Sequence, residues 1–391
     1  MKKIGYTNDS YPERRNIIEG NLHSLKKIKS LNTYYPQTAI KKVPYLGKNV
    51  DTFFKEMIFY TDGIDGVHLF NSVTDKDIPW ISTFETYIPR TTATLFLENS
   101  FSDSRVKKSK RKIERYLKLI ANENCKKVIS LSEQNFKMQQ RLLKEFPKYK
   151  SSIEEKMLHL SPPQKKLMER KDIEEKNTNS ILRFLFVGKD FTRKGGKEIV
   201  DVFSKIREET NLDFELTLVS LGKSFNYAFG QYQDTEEELQ ETKRKIESAE
   251  WIKLYESVEN KELLEMMARS DVGLLPTWAD TYGYSVLEFQ ASGCPVITTN
   301  VRALPEINNQ EVGWMVNLPI DEYGKVIITS NADKLRLRNK LQENLMSVIL
   351  NILQHPERIK EKSLKAYDQV TKNHSVENYM EELSQIYVNH F

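Results

Sequence analysis

Short apolar runs alternate with helical patterns along most of the chain. In the first half the runs cover residues 3–6, 66–71, 80–84 and 128–131. In the second half they cover 182–187, 214–219, 252–255, 272–275, 296–299 and 314–316. Each is rich in β-branched or aromatic residues and bounded by turn formers. Continuous apolar runs suit parallel strands buried on both faces, which have no solvent side to mark by alternation. Strands alternating with helices over 391 residues predict an α/β protein with two doubly wound domains.

The expected boundary lies at 160–164, where Pro162-Pro163 stops any helix. This gives a first domain over 1–164 and a second over 165–374. A polar stretch at 165–179 leads into the strand near Ile181. The segment 222–250, with Glu236-Glu237-Glu238 and Lys243-Arg244-Lys245, predicts a loop and an exposed helix. Over 375–391, Val376, Tyr379, Met380, Leu383, Ile386 and Tyr387 recur at helical spacing, with Ser375 as N-cap. That apolar face must be buried, and it is assigned to the first domain.

Composition narrows the class only slightly. Hydrophobic residues make up 39% and charged residues 29%, as in ordinary globular proteins. No apolar run reaches the roughly 18 residues of a membrane span. The start, Met1-Lys2-Lys3-Ile4-Gly5-Tyr6, is too short in apolar residues for a signal peptide and reads as a first buried strand. Cys125 and Cys294 stand outside any metal-type spacing and are expected to be reduced, buried thiols. These points predict a cytoplasmic protein. A net charge of +4 does not call for a nucleic-acid partner.

Two segments carry candidate chemistry. The first is strand 182–187, followed by Gly188-Lys189-Asp190-Phe191-Thr192-Arg193-Lys194-Gly195-Gly196 and then a helix. Three cations thus stand at the carboxyl end of a strand and the start of a helix, the edge at which open α/β sheets bind ligands. The helix N-terminus offers N–H groups, and Arg193 and Lys194 add full charges toward a pyrophosphate. A solvated basic turn is the plainer reading of this element alone.

The second segment follows strand 272–275 and Pro276 and runs from Thr277 to Glu288. Gly283 permits a tight turn, and a helix is expected from Tyr284 to Gly293. The N–H groups of Tyr284, Ser285 and Val286 are expected to cradle a phosphate. Glu288, one turn inside, suits the paired hydroxyls of a ribose. Asp280, on the preceding loop, suits the hydroxyls of a sugar. The plainer reading is an acidic helix start that complements the dipole.

Here the sequence resembles the retaining GT-B glycosyltransferases of family 4. The resemblance rests on 181–196 and 272–306, including Gly293-Cys294-Pro295-Val296-Ile297-Thr298-Thr299 and Ala303-Leu304-Pro305-Glu306. It implies two Rossmann-like domains facing a central cleft, with the C-terminal helix crossing back to the N-terminal domain. It also implies that a nucleotide sugar, UDP-linked or GDP-linked, is held mainly by the second domain. Lys189 takes the place of the family's usual Arg after the first strand, and Lys194 matches its Lys, with Arg193 beside it. The phosphate-neutralising role is thereby moved from Lys189 toward Arg193. Glu288 matches the second of two glutamates seven residues apart; Asp280 replaces the first, one methylene shorter. Ser220 and Tyr255, which close strands 214–219 and 252–255, complete the expected donor contacts.

In the first half, Trp80-Ile81-Ser82-Thr83-Phe84-Glu85-Thr86 aligns with a family strand that often ends in His. Glu85 stands at that position, where a carboxylate would orient the acceptor or stabilise positive charge at the anomeric carbon. A polar strand end is the plainer alternative. In place of the usual glycine-rich loop after the first strand stands Thr7-Asn8-Asp9-Ser10.

The expected reaction is retaining transfer with neither metal nor cofactor, the leaving diphosphate stabilised by Arg193, Lys194 and the backbone at 283–285. The histidines are scattered, and no DxD pair lies in a suitable loop. The resemblance implies front-side attack and an acceptor that is a glycan or a lipid-linked sugar, in the synthesis of a bacterial surface polysaccharide. Residues 105–118 carry Arg105, Lys107, Lys108, Lys110, Arg111, Lys112, Arg115 and Lys118, interspersed with Val106, Ile113, Tyr116 and Leu117. A basic amphipathic helix of this kind predicts peripheral contact with an anionic membrane, against the plainer reading of a solvated helix. Two further readings stay open: another GT-B enzyme, such as a sugar-nucleotide epimerase or a phosphorylase, and a non-catalytic GT-B subunit that binds a partner glycosyltransferase.

Overall fold

A computed structural model describes residues 1–43, 52–91, 104–176, 181–220 and 234–391, with side chains from 110 onward in the segment that starts at 104. The chain divides into two units, Met1–Pro163 with Val376–Phe391, and Gln164–Ser375.

The first unit contains β1 (Lys2–Tyr6), β2 (His23–Lys27), β3 (Ser30–Asn32), β4 (Glu56–Ile58), β5 (Gly66–Phe70), β6 (Trp80–Phe84), β7 (Cys125–Ser130) and β8 (Met157–His159). Six of these form a parallel sheet in the order β2-β1-β5-β6-β7-β8. β3 and β4 form a separate antiparallel ribbon. The apolar runs of the sequence fall on β1, β5, β6 and β7. β2 and β8 carry no such run because they are the sheet's edges, and each has one buried residue.

The helix Val376–His390 belongs to this unit. Its Tyr379, Leu383 and Tyr387 are buried with Ile4, Ile81, Ile129 and Leu160. The face also carries polar bonds. The Tyr387 hydroxyl meets His68 Nδ1 at 2.6 Å, and His68 Nε2 meets Thr83 Oγ1 at 2.8 Å. Full burial holds the His68 imidazole neutral and pushes its pKa down to about 3.

The second unit contains β9 (Leu182–Val187), β10 (Phe214–Val219), β11 (Ile252–Tyr255), β12 (Val272–Leu275), β13 (Val296–Thr299) and β14 (Trp314–Val316). All pair in parallel, in the order β11-β10-β9-β12-β13-β14. Phe184, Phe203 and Phe214 meet edge to face, with centroids 4.9 and 5.1 Å apart. The helix Asn331–Gln354 seals this side with Leu337, Leu341, Leu345 and Ile349, all fully buried. Each such side chain contributes about 1.5–3 kcal/mol by leaving water.

One feature of the core is invisible as a sequence pattern. Arg338 donates from Nε to Glu198 at 3.0 Å, from one terminal nitrogen to Glu238 at 2.7 Å and from the other to Asp234. Lys334 also pairs with Asp234, at 2.7 Å. These charges are far apart in sequence and look solvated until the helices meet.

Candidate active site

Numbered within its own unit, the second sheet runs 3-2-1-4-5-6. The chain leaves β9 toward one side of the sheet and returns through β12 on the other. The carboxyl ends of β9 and β12 are therefore the switch point of the strand order, the edge at which open α/β sheets bind ligands. Both candidate segments begin there.

After β9, the turn closes through Lys194 N donating to the Asp190 carbonyl (2.9 Å) and Gly196 N donating to that of Phe191 (2.8 Å). Gly195 then sits at φ +87°, and a Cβ on it would collide with the Pro276 carbonyl oxygen. Glycine is required here both for the backbone angle and for the approach of the β12 loop. The two loops are also bonded. The Arg193 carbonyl accepts from Trp278 N (2.9 Å) and from Thr277 Oγ1 (3.0 Å). The Arg193 guanidinium donates to the Ala279 carbonyl (2.6 Å) and to Asp190 (2.7 Å).

These bonds bring Lys194 to Asp280. The ammonium donates to Asp280 Oδ2, and Thr281 N donates to Oδ1 at 2.8 Å. The side chains are 15% and 9% exposed, so the pair is mostly shielded from water. Burial and the neighbouring Arg193 lower the Lys194 pKa, while Asp280 opposes them. Burial disfavours the Asp280 carboxylate, but Lys194 and Arg193 outweigh it and hold its pKa below the usual range. The Asp280 carboxylate is therefore ionised at neutral pH. Lys189 lies exposed on the turn, so the inward cations are Arg193 and Lys194.

The helix Tyr284–Ala291 begins after Gly283, whose φ is +97° and whose Cβ position is filled by Leu304 and Ile307. Of the three expected donors, Val286 leaves the set. Its N–H closes on the Gly283 carbonyl at 2.9 Å, and its side chain is fully buried. Tyr284 and Ser285 stand in the first turn, half-buried, and Glu288 lies half-buried one turn on. Thr299 Oγ1 donates to the Thr277 carbonyl at 2.6 Å and ties this loop to β13.

Ser220 and Tyr255 follow the other arm of the sheet. Ser220 N donates to the Tyr255 carbonyl at 2.9 Å, Ser220 is buried, and Tyr255 is exposed. Tyr255 ends the edge strand β11, two strands from β9, or about 10 Å at ordinary strand spacing. It stands apart from the Lys194–Asp280 pair.

Glu85 belongs to the first unit and follows β6. Its carboxylate accepts from Arg90 at 2.6 Å and from Asn71 Nδ2 at 3.2 Å. Its N–H donates to Asn71 Oδ1 at 3.0 Å, and its carbonyl accepts from Asn135 at 2.6 Å. Asn71 is held at φ +55°, a conformation asparagine tolerates better than most residues. The sequence reading singled out Glu85 but not Arg90, Asn71 or Asn135, which are its anchors. In the loop 7–10, Ser10 Oγ donates to Glu13 at 2.7 Å and Asp9 pairs with Lys27.

The basic segment is the helix Ser104–Ala121. Side chains of Arg105, Val106, Lys107 and Lys108 lie outside the described residues. Ile113, Leu117 and Ile120 are fully buried, and Tyr116 stacks on Phe53 with centroids 4.2 Å apart. This corrects the expectation of an apolar face laid on lipid, because the protein's own core occupies that face. Arg111, Arg115 and Lys118 are exposed, while Lys110 pairs with Glu145 at 2.6 Å. Both cysteines are free and buried, and burial pushes each thiol up to about 12. Among the described residues, no helix is long and apolar enough to cross a membrane.

Residues 168–346 match the family model described as glycosyl transferases group 1. The second unit is a group 1 glycosyltransferase domain. Around that domain the whole chain has the GT-B fold, two Rossmann-like units, as three solved structures show. Anabaena Alr3699/HepE in complex with UDP covers all of both chains at a TM-score of 0.58 and 10% identity. Sucrose-phosphate synthase from Thermosynechococcus elongatus covers 100% of this chain and 99% of its own, at 0.59 and 12%. WaaG, a glycosyltransferase involved in lipopolysaccharide biosynthesis, covers 99% of both at 0.53 and 14%. A curated relative, an uncharacterized 41.2 kDa protein in the cps region of Klebsiella pneumoniae, is 28% identical over 150 residues. The match spans 38% of this chain and 40% of that relative, so the chain spans under half the relative's length.

Proposed function

We propose that this glycosyltransferase moves a sugar, with retention of anomeric configuration and without a metal, from a UDP-sugar to a glycan or lipid-linked acceptor. The observation that carries the reading is the Lys194–Asp280 pair at the switch point between β9 and β12, with Arg193 beside it. A buried cation at that edge suits the diphosphate of a donor, and a carboxylate beside it suits hydroxyls of the transferred sugar. Lys194 would exchange part of its bond to Asp280 for the phosphate, so that donor binding orients both groups. Glu288 would take the ribose hydroxyls, and the Tyr284 and Ser285 backbone would complete the phosphate cradle. The leaving diphosphate would accept the acceptor's proton while Glu85 orients that acceptor or stabilises the oxocarbenium-like state.

UDP in the HepE structure supports the uridine donor over a guanosine one, and the cps-region relative supports a surface polysaccharide as product. The exposed cations Arg111, Arg115 and Lys118 support a cytoplasmic protein held at the inner face of the membrane, beside a lipid-linked acceptor or a partner glycosyltransferase. Calorimetric titration with UDP and GDP tests the donor assignment. UDP binding that weakens at least about tenfold in Lys194→Ala is expected. No binding of either nucleotide would remove the reading, and UDP binding without sugar release would make the chain a non-catalytic subunit.

A further inference from the structure

The buried charge cluster of the second unit reaches the site loops through one side chain, Trp278. Arg338 directs its donors to three carboxylates on two other segments: Glu198 at 3.0 Å, Glu238 at 2.7 Å, and Asp234. Glu198 and Arg338 are almost wholly shielded, with side chains 1% and 5% exposed. Ion clusters this deep cost desolvation, and apolar residues of equal volume are often as stable. What such a cluster supplies is direction, because a guanidinium holds each partner at a set angle.

Glu198 is the third residue of the helix Gly196–Glu209, which opens directly from the Lys194-Gly195 turn. Burial pushes its pKa up, Arg338 opposes that, and the Trp278 indole N–H adds to the opposition by facing the carboxylate. Trp278 is held at both ends. Its backbone N donates to the Arg193 carbonyl at 2.9 Å, and its ring is buried in the core with Ile199, Leu337 and Leu341. Ile199 and Leu337 are the chain neighbours of Glu198 and Arg338. Asp280 follows Trp278 by two residues, and Thr277, just before it, donates to the same Arg193 carbonyl at 3.0 Å. The indole thus braces the short backbone that presents Asp280 to Lys194.

We propose that Glu198 and Arg338 are positioning residues for sugar transfer, acting through the Trp278 indole to hold Asp280 in place against Lys194. A displacement of about 1 Å at a reacting group can cost about 10²-fold in rate. A loosened indole therefore shows in turnover before it shows in nucleotide affinity. This role presupposes Lys194 and Asp280 as the donor site, and the experiment separates the two.

The test compares the full chain as wild type, Trp278→Phe, Glu198→Gln, Arg338→Lys and Trp278→Phe/Glu198→Gln, with Asp280→Asn alongside. Trp278→Phe keeps a ring in the core and removes the N–H. Glu198→Gln keeps the volume but leaves one acceptor oxygen to be shared between Arg338 and the indole. Arg338→Lys keeps the charge and loses the directed fork. UDP release is measured from whichever of UDP-glucose, UDP-galactose, UDP-N-acetylglucosamine and UDP-glucuronic acid wild type turns over fastest. Each single cluster variant is expected to lower kcat at least about tenfold, with donor KM and calorimetric UDP affinity within about threefold of wild type. The double variant is expected to be no slower than the slower single one, since both changes break one contact.

Unchanged kcat in cluster variants that melt above the assay temperature would make the cluster a stability element only and overturn the role. Trp278→Phe, the mildest change, decides this where a charge variant does not fold. Losses that multiply in the double variant would overturn the route through the indole. Asp280→Asn with full turnover, or no release by wild type from any of the four donors, would overturn the donor site and this role with it. Loss in Asp280→Asn beside intact cluster variants would overturn this role alone.

Discussion

The Lys194 ammonium donates to the Asp280 carboxylate across the switch point of the second sheet. The two residues are 86 positions apart, and the loops that carry them are locked by Gly195 against Pro276. A buried pair of this kind is costly to break from one side. Lys194→Ala or Asp280→Ala alone should lower stability by about 2–4 kcal/mol, because each leaves an unpaired charge. Replacing both, as Lys194→Met/Asp280→Leu, should recover at least about 1 kcal/mol of that loss. Sugar transfer should be absent in all three. Urea denaturation and a transfer assay on the same preparations separate the two roles.

Gly195→Ala meets two obstacles at once, a left-handed φ of +87° and the Pro276 carbonyl. A destabilisation of about 1–3 kcal/mol is expected, with loss of UDP binding as the loops part. A thermal melt showing no change, with UDP affinity retained, would mean the loops are not locked as described.

Glu85 lies in the other unit from the donor residues, and that separates its effects from theirs. Glu85→Gln keeps the shape and the bonds from Asn71 and Asn135 but removes the charge that Arg90 faces. Turnover should fall by about 10²–10⁴, with UDP affinity within a factor of about two of wild type. Equal losses in affinity and turnover would assign Glu85 to the donor.

His68 gives a pH signature of the first unit. Its folded-state pKa is depressed from the ordinary 6.5 to about 3, so the unfolded chain binds the proton first. The associated stability is full above pH 6.5 and is lost as pH falls toward 3, at up to about 1.4 kcal/mol per pH unit. Burial lowers His23 in the same direction. Denaturant midpoints measured from pH 7 to pH 4 should show this slope, and His68→Gln should flatten it.

The sequence made the buried strands legible and left the edges dark. β9, β10, β12 and β13 could be read because they lie inside the sheet and are mostly buried, and the edge strand β11 was read from its β-branched and aromatic residues although only Ile252 is buried. β2 and β8 could not, since edge strands mix apolar and polar residues, and β3–β4 is a three-residue ribbon. At the site, Gly283 was readable as a turn residue, whereas the φ of +87° at Gly195 and its approach to Pro276 emerge only in the fold. The pairing of Lys194 with Asp280 needed the strand order, which brings β9 beside β12. Val286 was miscounted because the helix closes a bond onto Gly283 at once. The anchors of Glu85 and the Arg338 cluster escaped notice because their partners are distant in sequence and their residue types are common on surfaces. The basic helix was legible in charge but not in orientation, since an apolar stripe reads the same whether lipid or core covers it.

The central claim is donor-sugar transfer at the Lys194–Asp280 site. The most direct measurement is nucleotide release from a panel of UDP- and GDP-sugars by wild type and by Lys194→Ala. Release from at least one UDP-sugar by wild type, reduced at least about 10²-fold in Lys194→Ala, is the predicted result. Undiminished release by Lys194→Ala, or none from any donor by wild type, would contradict it.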